Sequence, residues 1–443
     1  MTFSAGTSGG ARSSAVIQHR INRNLGRRDY FTLALAALGG ALEFYDFVIF
    51  VFFISVLGKL FFPPGIPEWI RQAQTFGIFA AGYLIRPIGG IVLAHFGDLF
   101  GRKKMFALSV LLMSVPTLAL GLLPTYQTIG VFAPLLLLLM RLLQGAAVGG
   151  EVPGAWVFVS EHVPARRVGL ACGTLTGGLT AGILLGSLVA TWINTMFDTT
   201  QVLTFAWRLP FIVGGLFGIV AMYLRRWLEE TPVFNELKGR KALASGAPIK
   251  SVLREHRGAV ALSMVLTWML SATIIVIILM MPTLMQKVFG IAPRLALLGS
   301  SVATVCLTIG CALAGILSDR YGPRTVIQLG ATILCVSYIA LYHQLMIGAS
   351  VATWLSLYAL SGFMVGTIGA IPLLMVTAFP AAVRFSGISF SYNVAYAAFG
   401  GLTPILISLA IPITPYAPIV YVIGVCAIAA VAVSFVRGKP VLT

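Results

Sequence analysis

Charge is what this sequence has least of. Acidic and basic residues together make up 10% of its 443 residues, against 58% hydrophobic. A soluble domain carries roughly a quarter of its residues as charges, so a water-soluble enzyme or binding module is excluded. Cysteine is sparse as well. Five thiols, Cys306 and Cys311 among them, form no CxxC pair and no His-flanked cluster, which removes a zinc site or a disulfide framework. The five histidines are scattered at positions 19, 95, 162, 256 and 343, so paired-His or metal-centred catalysis has nothing to stand on. The expectation is a protein that is not an enzyme and needs no cofactor. The first 29 residues lack the short apolar stretch and cleavage site of a signal peptide.

Apolar residues, by contrast, come in long blocks. A spanning helix needs ~20 of them, and twelve blocks reach that scale: 31–57, 73–96, 105–123, 131–155, 168–193, 206–224, 259–285, 295–317, 325–343, 351–375, 386–409 and 416–436. The net charge of +17 then reads as topology. With the N-terminus placed in the cytoplasm, 23 of the 30 Lys and Arg residues fall on the cytoplasmic side. Lys59, Arg71, Arg208, Lys287 and Arg294 fall outside, and Arg86 and Arg141 lie within helices. This bias places both termini in the cytoplasm and explains the basic surplus without a nucleic-acid partner. The membrane expected is a bacterial inner membrane.

The blocks also repeat. Residues 226–258, rich in charge and holding Ser245-Gly246-Ala247-Pro248, separate six helices from six. Gly97-Asp98-Leu99-Phe100-Gly101-Arg102-Lys103-Lys104 follows helix 2, and Ser318-Asp319-Arg320-Tyr321-Gly322-Pro323-Arg324 follows helix 8. Pro164-Ala165-Arg166-Arg167 follows helix 4, and Pro380-Ala381-Ala382-Val383-Arg384 follows helix 10. The offsets, 221 and 216 residues, agree closely enough to indicate a duplicated unit. The fold expected is an all-α polytopic membrane protein with twelve transmembrane helices in two pseudo-symmetric six-helix bundles. Residues 1–29 form a tail, 30–225 and 259–437 the bundles, 226–258 a cytoplasmic linker and 438–443 a second tail. Duplicated halves around a midplane site are the build of secondary transporters, in which one half rocks against the other.

The loop after helix 2, Arg141-x-x-Gln144-Gly145 in helix 4 and Glu161-x-x-Pro164 resemble the signature loops of the major facilitator superfamily. Glu43-Phe44-Tyr45-Asp46-Phe47, the stretch Tyr83 to Gly90, Gly149-Gly150-Glu151, Trp207 to Phe211 and Glu230 to Phe234 resemble its metabolite:proton symporter family, from about residue 30 to 436. That resemblance implies transport of carboxylates, aromatic acids or zwitterionic osmolytes with protons. Two features depart from it. Pro323 stands where the first copy of the loop has Arg102, which implies weaker gating in that half. The chain also ends close to helix 12, without the long C-terminal coiled coil of some osmosensing members.

Charges inside a bilayer are expensive and therefore functional candidates. Glu43, Asp46, Glu151, Arg86 and Arg141 are the charges within helices, all in the first half. Glu43 and Asp46 share a face of helix 1 at a spacing of three. An Arg beside an Asp keeps it ionised until the two separate, after which the freed carboxylate takes a proton. The helix 1 stretch also resembles that of proton-coupled sugar porters, which implies Asp46 as proton carrier and Arg141 as its switch. A static ion pair, or Glu43 in place of Asp46, stays open. Arg86, whose planar fork suits a carboxylate, is either a substrate anchor or a salt-bridge partner of Glu43 or Glu151. Tyr45, Gln144, Glu151, Tyr392 and Asn393 complete the candidate substrate site. Asp98, Arg102, Glu161, Arg167, Asp319, Arg324 and Arg384 are the candidate gate, with Arg102 reaching Glu161. Gly178, Gly182 and Gly186, like Gly362 and Gly366, form small-residue faces for close helix packing. The function expected is proton-coupled symport of a small organic anion by alternating access, the alternative being proton-driven efflux of an anionic drug or metabolite. The partners expected are the substrate, protons and lipid.

Overall fold

The computed structural model describes residues 25–100, 102–225, 248–381 and 383–436. Most of the two tails and of the linker, and the side chains of Glu43, Asp98 and Arg102, lie outside the described residues. The described chain is almost wholly helical. Span 1 is Arg27–Phe52 continued by Ile54–Phe61; span 2 is Glu68–Leu84 and Arg86–Phe100; span 3 is Arg102–Leu122. Span 4 is Phe132–His162, span 5 Val168–Met196 and span 6 Arg208–Arg225. After a short helix, Pro248–Glu255, span 7 runs Arg257–Thr273 and Met281–Lys287 around a π-helical turn. Span 8 is Pro293–Tyr321, span 9 Pro323–Met346 and span 10 Val351–Val365 with Ile371–Ala378. Span 11 is Arg384–Ala395 with Gly401–Ala410, and span 12 is Ala417–Ser434.

Ten of these are long and apolar enough to cross a membrane as they stand. The sixth joins Thr199–Ala206 to Arg208–Tyr223 at a 45° bend. In the third, Arg102, Lys103 and Lys104 occupy the first turn and leave Leu108–Leu122 as the apolar part. All twelve expected blocks are helices.

Prolines explain where the spans deform. A proline has no N–H and cannot bond the carbonyl four residues back. Pro87 stands just past the break at Ile85 that divides span 2, and Pro372 follows the tight turn Gly366–Ala370 in span 10. Pro210 and Pro404 lie four residues beyond the π turns Val202–Ala206 and Tyr396–Gly400, consistent with the way such turns absorb a lost bond. In span 4, Pro153 sits within an unbroken helix and frees the carbonyl of Gly149.

Glycines set the helix contacts. In the first half, Gly89 meets the Ala146 carbonyl, Gly145 that of Gly82 and Gly149 that of Arg86, so spans 2 and 4 touch backbone to backbone. Gly178 and Gly182 bring span 5 onto Ala37 and Ala41 of span 1, while Gly362 and Gly366 bring span 10 onto Ala303 and Gly310 of span 8. The halves meet through spans 5 and 8, where Gly169 and Gly173 face Gly315, and through spans 2 and 11, where Gly90 faces Ser389 and Asn393. Spans 2 and 8, and spans 5 and 11, are equivalent in the duplicated sequence. The two seams are thus copies of one another.

Candidate functional site

The break in span 2 places Arg86 at the seam between the halves, fully buried. Its guanidinium carbon lies 4.4 Å from the ring centroid of Phe47, 4.4 Å from that of Tyr83 and 4.7 Å from that of Tyr396 on span 11. Tyr83 and Tyr396 stack across the seam at 5.5 Å, and Tyr392 extends the aromatic wall to Tyr396 and Trp156, each at 5.2 Å. All three guanidinium nitrogens are buried without a hydrogen-bond partner. Among the described residues, no salt bridge joins Arg86 to Glu151; the Glu43 side chain, the other candidate partner, lies outside them. A buried cation normally has a paired anion because desolvation costs several kcal/mol. Here aromatic faces supply part of that compensation; the Tyr392 hydroxyl lies within reach of the guanidinium, but none of its nitrogens makes a hydrogen bond of ordinary geometry.

Arg141 lies on the other side of this cluster, its guanidinium carbon 4.5 Å from the Phe47 centroid and 4.5 Å from that of Phe50. It donates to Gln144 Oε1 at 2.8 Å and to the Phe47 carbonyl at 3.4 Å, while its Nε and Nη2 have no partner. Gln144 in turn donates to Thr117 Oγ1 at 2.7 Å, and Thr117 donates to the Met113 carbonyl at 2.9 Å.

The expected Asp46–Arg141 ion pair is absent from this conformation. Successive helical residues are turned by about 100°, so while Phe47 faces spans 2 and 4, Asp46 is turned toward spans 3 and 6. Its carboxylate is buried beside Gly214 and within reach of the Thr117 hydroxyl, whose proton goes to the Met113 carbonyl, so neither oxygen accepts a bond of ordinary geometry. Tyr45 belongs to the same turned face. Its hydroxyl donates to the Pro210 carbonyl at 2.9 Å and its ring meets Phe217 edge-on, so it packs the first half instead of lining the seam. Glu151 is buried on span 4 and interacts electrostatically with Asp46.

Asn393 is likewise not free for a ligand here. Its side-chain amide donates to the Gly149 carbonyl, the one that Pro153 releases, and to the Ser389 carbonyl at 2.7 Å. Ser389 Oγ donates to the carbonyls of Gly90 at 3.3 Å and Gly149 at 3.4 Å. Span 11 is thereby tied to spans 2 and 4 inside the bundle, which the sequence motifs gave no reason to expect.

On the face that carries the repeated loops, Asp319 accepts from the backbone N–H groups of Gly169 at 2.7 Å and Leu170 at 2.8 Å, capping span 5 of the other half. The second copy of the loop thus makes a direct contact with the other half despite Pro323. Arg167 stands exposed but within electrostatic reach of Asp319. Glu161 pairs with Arg384 at 3.6 Å, both buried; the side chain of Arg102, the partner expected, lies outside the described residues. Arg384 begins span 11, so this pair also crosses the seam. Arg324 is exposed and away from these contacts.

The model of one family, the Major Facilitator Superfamily, matches residues 48–404. The chain belongs to the major facilitator superfamily. Among relatives, the putative proline/betaine transporter of Staphylococcus aureus (strain COL) is 31% identical over 92% of this chain and 88% of its own length. The proline/betaine transporter of Escherichia coli (strain K12) is 30% identical over 84% of this chain and 76% of its own. The glycine betaine/proline/ectoine/pipecolic acid transporter OusA of Dickeya dadantii (strain 3937) is 29% identical over 84% and 75%. Among solved structures, the proton:xylose symporter XylE bound to 6-bromo-6-deoxy-D-glucose superposes with a TM-score of 0.77 at 16% identity, covering 92% of this chain and 94% of that one. The protein is a secondary transporter of the superfamily and not an enzyme.

Proposed function

We propose that this transporter moves a small zwitterionic carboxylate of the proline or betaine kind together with protons. The observation that carries the reading is Arg86, a buried guanidinium at the seam with no acceptor and three aromatic rings around it. A carboxylate is the acceptor its fork fits. The aromatic wall of Tyr83, Tyr396, Tyr392 and Trp156 suits a cationic nitrogen a few ångströms away, since ring faces attract substituted ammonium groups. A zwitterion places both charges within that span. The net-anionic substrate expected from the sequence is thereby replaced, although its carboxylate is kept.

Proton coupling is assigned to Asp46. Buried and apart from Arg141, its carboxyl is costly to keep ionised, so on this reading it is the group that carries the proton. Rocking that brings Arg141 back to it releases the proton. Symport is taken over the efflux alternative because XylE, a protein of the same fold, is named as a proton:xylose symporter. Gradient-driven uptake of labelled proline and glycine betaine into proteoliposomes, beside succinate and benzoate, tests this. Uptake of the zwitterions that an inward proton gradient stimulates and D46N loses, with exchange retained, is the result expected. Uptake confined to the acids refutes the substrate reading, and an unaffected D46N refutes the proton site.

A further inference from the structure

Arg141 and Asp46 are apart, yet polar groups join them. Arg141 donates to Gln144 Oε1, Gln144 Nε2 donates to Thr117 Oγ1, and Thr117 stands beside the Asp46 carboxylate, where its methyl and Asp46 Oδ1 both crowd Gly214. The directions are fixed along this chain. An amide oxygen can only accept from a guanidinium and an amide nitrogen can only donate, so the Thr117 oxygen accepts and its one proton goes elsewhere. Here it goes to the Met113 carbonyl in the preceding turn. That carbonyl already serves as a helix acceptor, and back-bonding of this kind is readily exchanged for a stronger acceptor.

Resting on the reading of Asp46 as proton carrier, we propose that Thr117 is a positioning residue for proton coupling: its hydroxyl turns from Met113 to Asp46 when that carboxyl loses its proton, and with Gln144 it holds Arg141 off Asp46 until the halves move. Three consequences follow from the geometry. A neutral carboxyl calls for no donor from Thr117, whose proton goes to the Met113 carbonyl here. The ionised carboxylate gains a charge-assisted bond, which is about twice as strong as a neutral one. Gln144 keeps an acceptor in both positions of the hydroxyl, so Arg141 stays fixed through Gln144 Oε1 until the halves move. Thr117 lies in span 3 outside every sequence motif, and no charge or spacing in the sequence singles it out.

The test compares T117V, which keeps the shape and removes the hydroxyl, with T117S, which restores it, in proteoliposomes loaded with the transported zwitterion. Gradient-driven accumulation in T117V should fall about tenfold while counterflow exchange, which needs no net proton movement, stays within twofold of native. T117S should recover accumulation to within twofold. Retained exchange also shows that T117V is folded. Native-like accumulation in T117V overturns the proposal, and so does a loss of exchange in parallel with accumulation, because the hydroxyl would then serve translocation in general. D46N run alongside separates the levels. If D46N accumulates normally, the proton-site reading fails; if only T117V does, the relay alone fails.

Discussion

Arg86 offers the sharpest test because a structural and a substrate-binding arginine respond oppositely to removal. Both buried guanidinium carbons lie within 4.5 Å of the Phe47 centroid, so they are at most about 9 Å apart, a repulsion of about 2 kcal/mol at an effective dielectric of 20. Arg86 also bears the desolvation of N–H groups without acceptors, about 1–3 kcal/mol for each group left unmade. Against this stand three aromatic contacts of about 0.5–2 kcal/mol each. Replacing even a paired buried ion and its partner with apolar side chains is often neutral or stabilising by about 1–4 kcal/mol, and Arg86 has no such pair to lose. R86M should therefore unfold at a higher temperature than native protein in detergent without substrate, by the equivalent of ~1–2 kcal/mol.

The same variant should lose the thermal shift that substrate gives. Saturation at a hundredfold over Kd stabilises native protein by about 2.7 kcal/mol, whereas R86M has no partner for the carboxylate. R86K keeps the charge and loses the fork, so its KM should rise at least about tenfold, the cost of one charge-assisted bond at about 1.5 kcal/mol. The assay is differential scanning of the purified protein with and without ligand, followed by uptake kinetics. An R86M protein that is less stable than native in the absence of substrate would refute the reasoning, because it would show that Arg86 holds the fold together.

Other parts of the seam give predictions of their own. N393A removes the donors to the Gly149 and Ser389 carbonyls and should favour the state open on the loop-motif face, read as at least a threefold rise in cysteine-probe labelling at positions introduced there. Unchanged labelling would mean the tie is incidental. E161Q, which leaves Arg384 with an uncharged partner, should move the same labelling in the same direction, and a double E161Q/N393A variant should exceed either alone. G145V drives a side chain into the Gly82 carbonyl, a clash of the kind that costs about 1–3 kcal/mol, and should cut the yield of folded protein, measured by size-exclusion chromatography. A monodisperse G145V at native yield would show that spans 2 and 4 can part.

The fold was legible because burial in a bilayer leaves few options. Once twelve apolar blocks are counted, backbone groups can be satisfied only by helices, and the paired loop motifs give the duplication. Charge placement was legible for the same reason of cost, which is how Arg86, Arg141 and Asp46 came to be singled out. Which way each faces was not. Hydropathy is nearly uniform around these helices, so nothing in it separates Asp46 and Tyr45, turned toward spans 3 and 6, from Phe47, which faces the arginines. Thr117, Ser389 and the Gly149 carbonyl are neutral groups whose roles depend on partners 27 to 244 residues away. No local pattern encodes those partners. Pro153 comes nearest to a signal, since a proline inside a span must leave the carbonyl four residues earlier to find another donor.

That freed carbonyl bears on how the transporter can move at all. Within spans 7 to 12 the acid is Asp319 at one end, and the described contacts of that half with the buried site come from Tyr392, Tyr396, Asn393 and Ser389, all uncharged. Sliding such groups past spans 2 and 4 requires breaking neutral hydrogen bonds of about 0.5–1.5 kcal/mol net each, without taking a buried ion from its partner. The charged machinery meanwhile stays in the first half, where Arg86, Arg141 and Asp46 lie on spans 2, 4 and 1. A half that keeps the buried charges and a half that supplies neutral ties and aromatic faces can rock at low cost. The charge-assisted contacts, Asp319 on span 5 and Glu161 with Arg384, are confined to the loop-motif face, where opening admits water to solvate the groups that separate.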